Sequence, residues 1–142
     1  MGVRSPFNIS EIIVILSTLL ALSSVDYYHL ARTVQVEAKL NTMDEYCVAV
    51  SILNRVRSPL YPNTVAEVVY SPNQYEGLQK RIPSVEHSVF TRLQNNDKMI
   101  QAYNIIGDRT DFKGQSMLKY RVSSEDPMCH AEGNFYHYNW QF

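Results

Sequence analysis

The residue whose type and place could do chemistry is Glu37. Leu30, Val34, Glu37 and Ala38 recur at helical spacing, so one helix face carries all four. A carboxylate on that apolar stripe costs free energy unless it is paired, hydrogen-bonded or protonated. Burial raises its pKa, the condition a general acid needs near neutral pH. A plainer reading is a helix-end glutamate that turns to solvent or pairs with Arg32 or Lys39. Asp44, Glu45, Glu76, Asp108 and Asp111 are available as a partner acid. No spacing singles one out, and each reads as a solvated surface charge.

Other reactive side chains suggest less. Cys129, His130 and His137 run as Cys-His-x6-His with no further pair, a poor set for tetrahedral zinc, so neither metal nor cofactor is expected. Cys47 and Cys129 could close one disulfide in an exported domain. A buried free thiol in an apolar helix is the competing reading of Cys47. Ten tyrosines against one tryptophan permit carbohydrate as a ligand, since Tyr rings stack on sugars and also hydrogen-bond. The same residues serve equally well in half-buried cores.

These groups need helices to hold them. Ser23 or Ser24 starts a helix with Asp26 in its first turn, running to about Lys39. Asn41-Thr42 breaks it. Thr42 with Asp44 or Glu45 starts the next helix as a capping box, with Ala49, Ile52, Leu53 and Val56 at core spacing. Ser58-Pro59 ends that helix, and Thr64 caps a short one through Val68 and Val69. Ser71 to Gly77 reads as a loop. Residues 85–106 are predicted helical, interrupted near Asn95-Asn96-Asp97 and ended by Gly107. Residues 110–142 are rich in Tyr, Ser and Gly and predict loops with short strands at 117–122 and 134–138.

Length and charge bound the rest. The chain of 142 residues makes one domain, with 45% apolar residues. A net charge of -1, from 13 basic and 14 acidic side chains, leaves no basic surplus for nucleic-acid phosphates. Residues 1–24 read as a signal peptide or signal anchor: Arg4 is a basic start, and residues 12–25 are uncharged. That run is short for a full bilayer span of about 20 residues. It is apolar on every side, which argues for export, cleaved or anchored, over a buried amphipathic helix. A retained anchor would tie residues 8–25 to a membrane. The domain proper is residues 25–142.

Several segments, in order, resemble the SleB-type cell wall hydrolase family, the spore-cortex-lytic and related peptidoglycan-cleaving enzymes. They are Leu30-Ala31-Arg32, Val36-Glu37-Ala38-Lys39, residues 47–56 (Cys-Val-Ala-Val-Ser-Ile-Leu-Asn-Arg-Val) and Tyr61-Pro62-Asn63-Thr64-Val65. Val68-Val69-Tyr70, Pro72, Gln74-Tyr75 and Gly133-Asn134-Phe135-Tyr136 complete the set, which covers most of residues 27–138. The resemblance implies a mainly α (α+β), lysozyme-like or lytic-transglycosylase-like fold with Glu37 as catalytic acid. Its partner would be the peptidoglycan glycan strand, cut between N-acetylmuramic acid and N-acetylglucosamine. The family usually reads Glu-Ala-Arg-Gly-Glu where this chain has Glu37-Ala38-Lys39-Leu40-Asn41. Asp44-Glu45 stands where Glu-Gly-Gln is common, the linker is one residue shorter, and Pro127-Met128 does not match the late Pro-x-Trp.

One carboxylic acid suffices for a lytic transglycosylase, whose acid protonates the leaving oxygen and then, as base, deprotonates the sugar's own 6-hydroxyl. A water-using glycosidase normally needs a second carboxylate. The absence of an obvious one favours transglycosylase chemistry. Gln74, Tyr75, Tyr120 and Tyr136 are the substrate-binding candidates: Gln74 as a hydrogen-bonding side chain, Tyr75 and Tyr136 as sugar platforms. Asn54 and Arg55 are expected to hold helix to loop. The alternative function is a non-catalytic wall-binding or membrane-anchored module. A monomer is expected, exported to the cell envelope, of bacterial origin or of a virus acting on a bacterial host.

Overall fold

The computed structural model describes residues 9–120 and 126–138, with side chains for all of them except 118–120. Among these residues the order is α1 Ile9–Leu20, α2 Ser24–Glu37, α3 Asp44–Arg57, α4 Val65–Val69, α5 Glu76–Lys80, α6 His87–Arg92, α7 Asn96–Ile106, β1 Asp111–Lys113 and β2 Phe135–His137. A 3-10 helix, Gln115–Tyr120, comes directly after β1. The mainly helical expectation holds, with the strands at the C-terminal end.

Local chemistry starts and stops the helices. The Ser23 hydroxyl accepts from the Asp26 N–H at 3.2 Å, and the Asp26 carboxylate accepts from the Ser23 N–H at 2.9 Å, a complete capping box for α2. Thr64 caps α4 as expected. Asn95 caps α7 through the Lys98 N–H, so the long helix read at 85–106 is two, α6 and α7. Gly107, at φ 63°, ends α7 in a backbone region that suits glycine.

The capping box expected from Thr42 does not form. Met43 precedes α3 without a side-chain cap, and Thr42 instead donates to the Lys39 carbonyl at 2.6 Å. The Thr42 hydroxyl accepts from the Asp44 N–H at 3.2 Å, but the fully buried Asp44 and Glu45 carboxylates reach back past Thr42, to the N–H groups of Lys39 and Asn41. This also corrects the reading of these two acids as solvated charges.

The core is built around α3, whose residues 44–55 are all buried. It packs against α2, α4 and α7. Ile52 and Leu53 are fully buried, each contributing about 1.5–3 kcal/mol from removal of its surface from water. Polar side chains then tie the end of α3 to the segment between α7 and β1. Asn54 donates to the Gly107 and Arg109 carbonyls at 2.9 and 2.7 Å, and Arg55 donates to the Thr110 carbonyl at 2.8 Å. Both hold helix to loop, as their sequence positions predict.

Pinning Thr110 aligns β1 with β2, antiparallel, with Phe112 opposite Tyr136. The strand expected at 117–122 is therefore replaced. Pairing falls earlier, at Asp111–Lys113, and residues 115–120 form the 3-10 helix, while 121 and 122 lie outside the described residues. β2 falls within the expected 134–138. Cys47 and Cys129 are joined in a disulfide, so Cys47 is not a free thiol.

α1 packs on α7, burying Ile15 and Leu19, while Ile9, Ile13 and Leu20 remain exposed. Its outer face is thus apolar as well. No single described helix is long and apolar enough to cross a membrane. Residues 1–8 of the expected targeting segment lie outside the described residues.

Candidate functional site

Glu37 is the last residue of α2. Leu30 and Val34, on the same stripe, are fully buried, and Glu37 is half-buried. The helix stops because Ala38 turns extended, at φ -110° and ψ 156°. The next turn is held from α3: the Lys39 N–H donates to Asp44 at 3.1 Å and the Asn41 N–H donates to Glu45 at 3.0 Å. Asn41 adopts φ 61°, a left-handed conformation that Asn tolerates better than most residues. Glu45 is in turn gripped by both arms of the Arg92 guanidinium, at 2.9 and 2.7 Å, which fastens α6 to α3.

The Glu37 carboxylate faces α5. A Cβ on Gly77 would lie 3.4 Å from Glu37 Oε2, so glycine lets the α5 backbone come close. The Gly77 N–H bonds the carboxylate, which lowers its pKa, yet two larger effects win. Burial disfavours the charge, and Glu76 adds like-charge repulsion, so the Glu37 pKa is raised above its ordinary 4.5. Neither Arg32 nor Lys39 neutralises it. Arg32 bonds the hydroxyls of Tyr28 and Tyr70, and Lys39 pairs with Glu132.

Two adjoining depressions share Glu37, Gly114 and Asn134 as lining residues. One, of about 420 Å³, runs past Gln74, Tyr75, Glu76 and Lys113; the other, of about 250 Å³, runs past Lys39, Gln115 and Gly133. Glu37 therefore stands at the join of a groove open on both sides. A depression of about 550 Å³ lies elsewhere, between Val56 and Glu67. Its one carboxylate, Glu67, is occupied in capping α4 with Thr64.

Of the binding candidates, Gln74 is exposed on the groove wall. Its Oε1 accepts from Arg55 at 2.7 Å, which leaves the Nε2 donors to the groove. Tyr75 lines the same wall but is 2% exposed, its ring closed in by Phe112 and Arg55. It cannot be a sugar platform. Its hydroxyl is buried without a hydrogen-bond partner among the described residues, and burial raises its pKa well above 10. Tyr136 is a correction. It is fully buried and donates to Asp44 at 2.6 Å, so no ring face is open to a sugar. Tyr120 ends the 3-10 helix, and its side chain lies outside the described residues.

Sequence reasoning missed Gly77, Gly114 and Asn134, and weighed Glu76 only as one of five acids with nothing to single it out. Asn134 stood inside the tail that carried the resemblance, which was the one available signal. Asp111, taken as a surface charge, is paired with Arg55 at 3.3 Å and accepts from Tyr61 at 3.1 Å. Of the weak zinc set, Cys129 is bonded to Cys47, and among the described residues no group of three or more His, Cys, Asp or Glu is placed to hold an ion.

A half-buried carboxyl with a raised pKa, lining two adjoining depressions, can donate a proton to a bond laid against it. A family model described as Cell Wall Hydrolase matches residues 41–136, beginning four residues after Glu37. Among solved structures, the chain is similar to the catalytic domain of the germination-specific lytic transglycosylase SleB from Bacillus anthracis. The TM-score is 0.56 at 21% identity, over 82% of this chain and 96% of that one, a likeness of fold. No curated protein sequence matches the chain.

Proposed function

The chain belongs to the cell wall hydrolase family, and from that premise we propose that it cuts the peptidoglycan glycan strand between N-acetylmuramic acid and N-acetylglucosamine, with Glu37 as the acid. Family membership makes it an enzyme acting on envelope peptidoglycan. The observation that carries the finer reading is the raised pKa of Glu37 at the join of the groove.

In the first step the Glu37 proton passes to the leaving glycosidic oxygen as the C1–O bond breaks and positive charge develops on the muramic ring. The resulting carboxylate stabilises that charge. It then takes the proton of the ring's own 6-hydroxyl, whose oxygen closes on C1 to give a 1,6-anhydro end. No water is consumed and Glu37 returns protonated, as a lytic transglycosylase requires. Gln74, through its Nε2, is the substrate hydrogen-bond donor in this reading, and Tyr75 backs the groove wall from beneath.

One observation favours a second reading. Glu76 lines the groove beside Glu37 and could serve as the second carboxylate of a water-using hydrolase. Glu76→Gln separates the two. If Glu37 acts alone, release of fragments from purified sacculi continues. The high-pH limb of the rate then moves to lower pH, because the repulsion raising the Glu37 pKa is gone. Loss of activity by 100-fold or more, on the order of a general base's contribution, would make Glu76 catalytic.

The Cys47–Cys129 disulfide supports an oxidising compartment, hence export. The outer apolar face of α1 supports an envelope location in which residues 8–25 lie at a membrane. We propose a monomer, since one chain builds the whole groove. Lysis of a bacterial host by a virus is a use such an enzyme fits.

A further inference from the structure

We propose that Asp44 is a positioning residue of this site, acting through Asn134 to fix the end of α2 on which Glu37 stands. The proposal rests on Glu37 being the acid.

Asp44 is fully buried, and four donors meet its two oxygens. Oδ1 accepts from the Tyr136 hydroxyl at 2.6 Å and the Asn134 N–H at 3.2 Å. Oδ2 accepts from Asn134 Nδ2 at 2.9 Å and the Lys39 N–H at 3.1 Å. That fills the carboxylate's lone-pair directions, so Asp44 has nothing left for substrate. The arrangement crosses 90 residues of sequence and joins the start of α3, the turn after α2 and the C-terminal strand.

Asn134 carries the effect to Glu37. Its Nδ2 has two hydrogens: one goes to Asp44, and the other to the backbone carbonyl of Glu37 at 2.8 Å. With the amide gripped by its nitrogen, Oδ1 turns toward Gly114, where an added Cβ would lie 3.7 Å away, on the groove wall. Asp44 thus sets which way the Asn134 amide faces. Gly133 is required beside it, because a Cβ there would lie 2.6 Å from Asp44 Cγ. A helix's last carbonyls have no partner of their own, so this bond supplies what α2 lacks.

The test is a double-mutant cycle on the full chain, with kcat, KM and the pH profile for fragment release from purified peptidoglycan. The variants are Asp44→Asn, Asn134→Ala, the double variant and Glu37→Gln, assayed well below the lowest melting temperature with folding checked by circular dichroism. Asp44→Asn turns an amide N–H toward donors. Each single change is expected to lower kcat by about 10- to 100-fold, the cost of a displaced catalytic group, with KM within about threefold. The double variant should be no worse than the poorer single one, because both cut one connection. Both singles should also move the high-pH limb to lower pH, as a loosened α2 end admits water to Glu37.

Multiplying effects in the double variant, or limbs that stay at the wild-type pH, would overturn the positioning role. Should Asp44→Asn fail to fold, Asn134→Ala alone decides: wild-type kcat and limb reject the proposal, and a lowered kcat with a shifted limb supports it. If Glu37→Gln releases fragments at the wild-type rate, the reading of Glu37 fails instead, whatever the cycle gives.

Discussion

Glu37→Gln is expected to abolish clearing of peptidoglycan in a zymogram, with a loss of about 10²–10⁴-fold or more in rate. The amide keeps the size and the hydrogen-bonding reach of the carboxyl but has no proton to give. The same change is expected to stabilise the fold at neutral pH. The sign comes from the raised pKa. In the unfolded chain Glu37 ionises near its ordinary value of 4.5; in the folded chain it ionises at higher pH. Its contribution to stability is therefore complete below the unfolded pKa and is lost as pH rises through the folded one. At pH 7 wild type bears the cost of a half-buried charge that Gln does not. At pH 3 both side chains are neutral and the difference vanishes. Thermal melts at the two pH values check this: a variant no more stable than wild type at pH 7 would place Glu37 in an environment without a desolvation cost.

Breaking the disulfide is expected to have the largest effect on stability. Cys47 and Cys129 are 82 residues apart, and closing a loop of that length removes unfolded-state entropy worth about 4.5 kcal/mol. For a domain of this size, Cys47→Ala with Cys129→Ala should lower the melting temperature by roughly 10–15 °C. A reductant should bring wild type to the same point and leave the double variant unchanged. Activity should fall with it, because the bridge fastens the segment carrying Asn134 and Tyr136 to α3, beside Asp44. Identical melting curves with and without reductant would contradict both statements.

The legible features of the sequence were local. Glu37 stood out because a charge on an apolar stripe breaks a short-range rule. Ser23 with Asp26, and Thr64 at the head of α4, are caps written in the local sequence, and both formed. Asp44 and Glu45 look like ordinary first-turn acids, and nothing near them says otherwise. The groups that bury them, Asn134, Tyr136 and Arg92, come from 47 to 92 residues away, so their burial emerges only in the assembled fold. Tyr136 failed for the same reason: a tyrosine reads alike whether its hydroxyl meets a sugar or a buried carboxylate. The strand at 117–122 was displaced to β1 because Arg55 fixes Thr110, a contact across 55 residues. α5 went unread because five residues give no helical period, although its Gly77 is what lets a backbone N–H reach Glu37.

The central claim is that Glu37 alone both gives and retrieves a proton, so that the sugar's own hydroxyl replaces water. Mass spectrometry of fragments released by the wild-type chain from purified peptidoglycan in ¹⁸O-enriched water tests it. The account predicts 1,6-anhydromuramyl ends carrying no ¹⁸O. Reducing ends labelled with ¹⁸O would contradict it and assign the second step to water.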